Sequence, residues 1–290
     1  MKLRKTVLSI CSAGAVLLFA YMLVFPSRVS ASTAESLGFC ARVLVPSMFV
    51  YLVLSRIIVT LPVTGFLCKK VGPEICMLLL GTLCGCPSGA SNALVLYESG
   101  CINKKYAEYL CSFTGGVSVS FLLGFVGQAL FEDIGVGVRL LVYQLVSCAA
   151  CAVIMRLLMY GRNKAENPSL RFSSAVSLPK AVTGSADVLF TVCASVVFFS
   201  VIGNELAYIF GSVPFVGSAL RLMLEFSSGC RYASEMNNPV EMCALTLGFS
   251  GICVLAQVAG IVGGKLSVKP YLTGKLVQGS LMYLLAVIFG

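Results

Sequence analysis

The sequence predicts an all-α integral membrane protein, with about seven transmembrane helices and two re-entrant hairpins arranged as an inverted-topology repeat. Three observations carry this expectation. Hydrophobic residues make up 58% of the 290 and charged residues 11%, whereas a soluble domain needs roughly a quarter charged residues to cover its surface. Seven apolar runs come near the length of about 20 residues that a helix needs to cross a hydrocarbon core. Two further apolar stretches, 74–99 and 215–238, break near their middles at Gly-containing polar clusters, so their arms are too short to span.

In chain order, the predicted spans are 6–25, 37–61, 107–130, 135–160, 186–210, 241–263 and 271–289, six of them clear and one interrupted by polar residues. The first follows a basic start with Lys2, Arg4 and Lys5, and Val29-Ser30-Ala31 resembles a small-residue cleavage site. Its apolar run exceeds a signal-peptide core, which favours an uncleaved helix. Basic loops then set the orientation, because Lys and Arg are retained on the cytoplasmic side. With the N-terminus inside, Lys69, Lys70, Lys104 and Lys105 all stay inside only if 74–99 is a hairpin. The same holds for 215–238, which keeps Lys265 and Lys269 inside. This arrangement puts sixteen Lys and Arg inside and five outside.

The division that follows is 1–34 for the first helix and its connection, 35–162 for the first repeat, 163–185 for a cytoplasmic linker and 186–290 for the second repeat. Each repeat reads helix, hairpin, helix, helix, in opposite orientation. Sequence echoes support it: a Thr114-Gly115-Gly116 break precedes 120–127, and a Ser250-Gly251 break precedes 256–263. Paired, interrupted helices in an inverted repeat are the sequence pointer to a secondary transporter with a midplane site.

Irregular backbone at membrane depth must face protein or a wet cavity. In the first tip, Gly85-Cys86-Pro87-Ser88-Gly89-Ala90-Ser91-Asn92, Pro87 stops the first arm and Gly85 and Gly89 permit a reversal. Ser88, Ser91 and Asn92 supply hydrogen-bonding groups at the start of the second arm. These residues suit a ligand site and also a padded helix kink; the short arms favour the site. The second tip is expected at 227–234, where Ser228 lies. Glu225, four residues after Arg221, can meet it on one helical face, either as a ligand group or as a structural ion pair. Thr114, Ser118, Ser250 and Gln257 are uncharged hydrogen-bonders near the proposed midplane, each taken singly better suited to helix packing than to a ligand.

Other classes fit less well. The formal charge of +9 comes from short clusters between apolar runs, without the interleaved aromatics of a nucleic-acid surface. The 14 cysteines lie mostly in apolar segments, where a thiol behaves as a small hydrophobe. Cys84-x-Cys86 and Cys148-x-x-Cys151 lack a histidine or a second pair, so no metal is expected. No protease, hydrolase or nucleotide-binding signature is present, and no enzyme activity is expected.

The strings LGTLCGCPSGASNA followed by YESGCINKKYAEYLCSFTGG, and LEFSSGC followed by LGFSGICVLAQVAG, resemble the YlbJ-type sporulation integral membrane proteins. Those are grouped with nucleoside-recognition or "Gate" domains, which are related to concentrative nucleoside transporters and to the gates of ferrous-iron transporters. The resemblance covers about 37–264. It implies a cell-membrane protein of an endospore former, with the two hairpin tips flanking a substrate path. Where that group commonly has Tyr-Pro-x-Gly, this chain has Cys86-Pro87-Ser88-Gly89, and it has no histidine, which leaves the ligand open. The expected function is therefore permease-like movement of a small polar solute, nucleoside-like or another metabolite, with H⁺ or Na⁺ as a coupling ion and no other cofactor. A non-transporting membrane scaffold of sporulation is the alternative; oligomerisation is open.

Overall fold

The structure, a computed structural model, describes residues 2–161, 177–211 and 213–290. Among them every regular element is helical. The helices are α1 (Lys2–Val24), α2 (Pro26–Ile58), α3 (Pro62–Val71), α4 (Pro73–Cys84), α5 (Ser88–Glu98), α6 (Lys104–Phe113), α7 (Phe121–Leu130) and α8 (Ile134–Tyr160). After the undescribed stretch come α9 (Leu178–Ile209), α10 (Pro214–Leu224), α11 (Phe226–Ser234), α12 (Pro239–Phe249), α13 (Gly251–Val262) and α14 (Lys269–Phe289). Proline opens α2, α3, α4, α10 and α12, in the first turn, where its missing N–H costs no helical bond.

Five segments among the described residues are long and apolar enough to cross a bilayer: α2, α8, α9, α12 with α13, and α14. Val146, Val153 and Leu157 on α8, Phe190 and Phe198 on α9, and Leu284, Val287 and Ile288 on α14 are all exposed. Exposed apolar surface on that scale requires lipid or protein to cover it.

Several expected boundaries shift. The stretch 26–34 is not a connection: it is helical and continuous with the second expected span, so α2 begins at Pro26 and contains Val29-Ser30-Ala31. The expected crossing at 107–130 is two helices, α6 and α7, separated by non-helical chain at 114–118, and α7 is π-wound. Of the expected linker, 163–176 lies outside the described residues, and its remainder is already α9, which starts at Leu178 and not at residue 186.

Each half contains two short helices that fold back on each other. A Cβ on Gly81 of α4 would stand 2.2 Å from the Thr114 carbonyl oxygen, and one on Gly89 of α5 would stand 2.3 Å from the same atom. Along one continuous helix those positions would be about 12 Å apart, so the chain reverses between them. In the second half a Cβ on Gly229 of α11 would lie 3.1 Å from the Arg221 carbonyl oxygen and 3.0 Å from that of Leu222, both in α10. The same reasoning gives a reversal there. Apart from the short helix α3, which has no counterpart in the second half, the halves then share one order: a long helix, a folded-back pair, a broken helix and a closing helix. The two long first helices, α2 and α9, pack together, and α14 packs along α6, α8 and α12.

Candidate functional site

Each folded-back pair sits on the break of the following helix. Gly85, at φ +77°, ends α4. Its Cβ would meet the Ser118 backbone nitrogen at 2.8 Å, so only glycine lets the first tip approach the 114–118 break this closely. Pro87 follows in a cis peptide bond with Cys86. The Ser88 hydroxyl donates to the Gly85 carbonyl and closes the turn. The break itself is held by Gln144 of α8, whose amide oxygen accepts from Val117 N–H and whose amide nitrogen donates to the Val117 carbonyl, both at 2.8 Å. That pairing satisfies backbone groups that would otherwise be orphaned in a buried segment.

The second tip is built differently from the expectation. Residues 227–234 are helical, and the reversal falls at Glu225, whose backbone is extended at φ −140° and ψ 122°. Its carboxylate caps α11, accepting from the backbone N–H groups of Ser227 and Ser228 at 2.9 and 2.8 Å and from the Ser227 hydroxyl at 2.5 Å. A carboxylate is favoured there by the orphan donors and the positive end of the helix dipole. Because α10 stops at Leu224, Arg221 and Glu225 do not share a helical face and form no ion pair; Arg221 stacks on the Tyr232 ring at 5.0 Å. Gly251, the first residue past the Ser250 break, packs its Cα face on this tip: a Cβ would meet the Leu224 carbonyl at 3.1 Å and the Phe226 nitrogen at 3.3 Å.

The expected site residues thus fall into groups. Gly85, Gly89, Thr114 and Ser118 meet at the first tip. Glu225 and Ser228 meet at the second, joined by Ser200 of α9, whose hydroxyl is 3.2 Å from that of Ser228. Phe121 and Phe226, with ring centroids 5.2 Å apart, link the first break to the second tip. Ser91 accepts from the Arg56 guanidinium at 2.9 Å. Asn92 is 1% exposed, and neither its amide nitrogen nor its amide oxygen has a partner. Gln257 donates to the Cys253 thiol at 3.1 Å. No hydrogen bond among the described residues joins Asn92 or Gln257 to Glu225, so the expected convergence on one point is not drawn tight.

Sequence reasoning missed the most connected polar residue. Lys275 of α14, which the topology count placed among the cytoplasmic charges, is 2% exposed. It donates to the Gly115 carbonyl in the first break, to the Ser250 hydroxyl in the second at 2.8 Å, and to the Gln278 amide oxygen at 2.9 Å. A lysine within a long apolar segment was the available signal.

Two cavities flank this interior. One, of about 200 Å³, reaches Glu225, Ser228 and Ser200 and is rimmed by Arg221, Arg231 and Glu235. The other, of about 410 Å³, lies beside the first folded-back pair and is lined by Arg56, Ser91, Glu98, Asp187 and Thr191. Among the described residues the ion pairs are Arg28 with Glu205 and Arg231 with Glu35, both at 2.9 Å or less, and Arg156 with Glu74 and Lys265 with Glu98. Among the described residues no cluster of three potential metal ligands occurs and the cysteines are free thiols.

Fold and site together define a multi-pass helical membrane protein whose two halves each seat a folded-back helix pair on a broken helix. This chain is similar to the sporulation integral membrane protein YlbJ of Bacillus subtilis (strain 168), with 24% identity over 320 residues of alignment that take in 90% of this chain and 78% of the relative. That similarity supports the YlbJ resemblance carried by the motifs. No family model and no solved structure matches the chain.

Proposed function

We propose that the chain is a permease-like protein that moves a small polar solute between its two halves and acts in endospore formation. The observation that carries this reading is the repeated unit of a folded-back helix pair seated on a broken helix. The order of elements in both halves, with three crossings in each, makes the second half inverted relative to the first. The two pairs then act as re-entrant hairpins entering from opposite sides, the first from the cytoplasm, and the N-terminus is cytoplasmic. Short helices that meet buried, irregular backbone belong in a membrane only against protein or a wet path, and the cavities at Ser91 and at Glu225 are the two mouths of that path.

The Asn92 amide supports the same site. A buried side-chain amide without partners is rare in native proteins and calls for a ligand or ordered water. With Gln257 and the second tip it reads a solute rich in hydrogen-bonding groups, such as a nucleoside or a small carboxylate. The sporulation role is drawn from the YlbJ relative, a sporulation integral membrane protein.

The test is thermal stability of the purified protein across a metabolite panel. A solute at 100 times its dissociation constant stabilises by about 2.7 kcal/mol. The reading expects a hit that Asn92→Ala and Gln257→Ala weaken; a hit that stabilises wild type and both variants equally contradicts the site. Full rescue of a deletion strain by a chain that inserts normally but carries disrupted tips would favour the scaffold instead.

A further inference from the structure

The Lys275 ammonium has three N–H donors and no acceptor, and all three are used. Its acceptors come from three places: a main-chain carbonyl of the first break, a hydroxyl of the second break, and an amide on its own helix. Among the described residues no carboxylate pairs with it. The carboxylates on two of the helices packed against α14 are placed elsewhere. Glu108 of α6 accepts from Ser267 N–H at 2.7 Å, and Glu241 of α12 lies by Gly290 at the far end of α14. The titratable groups near the ammonium are the Cys86 thiol of the first tip, the Cys148 and Cys151 thiols of α8, these two joined to the same network through Gln278 and the Gly274 carbonyl, and the Tyr271 ring.

A buried, unpaired charge is costly, several kcal/mol in a low-dielectric interior, and a polar residue held at that cost in a membrane marks a working position. Carbonyl, hydroxyl and amide oxygens without a carboxylate form a neutral oxygen cage, and unwound backbone carbonyls of broken helices are what gathers monovalent cations in transporters. We infer that the junction of the two breaks is a monovalent-cation site whose cation is the protein's own Lys275 ammonium, so that a tethered charge latches the two halves where an exchangeable ion would otherwise sit. The latch as a part of a transport cycle rests on the permease reading; the cation site does not.

The test replaces the tether. Lys275→Ala removes the side chain beyond Cβ, whose free equivalent is n-propylammonium. The variant is expected to melt below wild type in detergent. Adding n-propylammonium should recover most of that loss in the variant and none in wild type, while n-propanol, a neutral molecule of the same size, should not. Recovery by n-propanol equal to that by n-propylammonium would reduce the site to a plain cavity and overturn the inference, as would a variant that neither compound moves. Should Lys275→Ala fail to insert, Lys275→Met keeps the stem without the charge. Its amide hydrogen exchange should rise at both 114–118 and 250–251; unchanged exchange at either break would overturn the latch. Failure of the permease reading would appear in the solute panel and leave these shifts as they are.

Discussion

Replacing Gln144 by methionine tests how the first break is held. The side chain is completely buried and makes two hydrogen bonds to one residue, accepting from Val117 N–H and donating to the Val117 carbonyl. Methionine keeps the volume and flexibility, so the cavity contribution is small. Both Val117 groups then lose their partners inside a buried, non-helical segment. An unsatisfied buried group costs about 1–3 kcal/mol, while hydrogen bonds measured within membrane proteins average about 0.6 kcal/mol because alternative partners are found. For two groups on a non-helical backbone the expected loss is about 2–4 kcal/mol. Reversible unfolding in mixed micelles reads it directly. Stability within about 0.5 kcal/mol of wild type, below the cost of even one unsatisfied group, would show that the break does not depend on Gln144 and would refute the reasoning.

Two further contrasts follow from the packing. Gly89→Ala places a methyl 2.3 Å from the Thr114 carbonyl oxygen, whereas Gly124→Ala meets nothing within 4 Å; the first should lose about 1–3 kcal/mol or more and the second should stay near wild type in the same assay. Glu205→Gln leaves Arg28, which stacks 3.7 Å from the Tyr208 ring, without its buried partner and should cost about 1–2 kcal/mol once the partial exposure of Arg28 is allowed for. Glu35→Gln breaks an exposed pair with Arg231 and should stay within about 0.5 kcal/mol.

What the sequence revealed depended on whether a signal was local. Composition and run length are enough to indicate a helical membrane protein, and the Gly85-Cys86-Pro87 reversal announces itself because glycine and proline act on their own backbone. The break at Ser250-Gly251 was legible for the same reason, with Ser250 at φ +63° and Gly251 at φ +75°. The second tip was misplaced because a serine-rich string resembles a loop, while the actual stop is a carboxylate cap at Glu225, a role visible only once the orphan N–H groups of Ser227 and Ser228 are in place. Its pairing with Arg221 failed with the helix that was supposed to align them. Lys275 was passed over for another reason. Six residues after Lys269 at the head of the last span, it looks like a side chain reaching back to the interface, and nothing local says that two breaks from distant parts of the chain meet it. Gln144 and Gln278 share that fate, since a lone amide in a long apolar helix gains meaning only from its cross-helix partner.

The central claim, that the two folded-back pairs enter the membrane from opposite sides, is tested most directly by the sidedness of the connections beside them. Lys104, just after the first pair, and Val213, just before the second, are both exposed. Of the native cysteines whose side chains are described all are buried except Cys193, which is half-buried, so with Cys11 replaced by serine, labelling by an impermeant thiol reagent will report the introduced residues. In sealed vesicles of known orientation, Lys104→Cys should react only from the cytoplasmic side and Val213→Cys only from the opposite side. Reaction of both from the same side would contradict the inverted repeat.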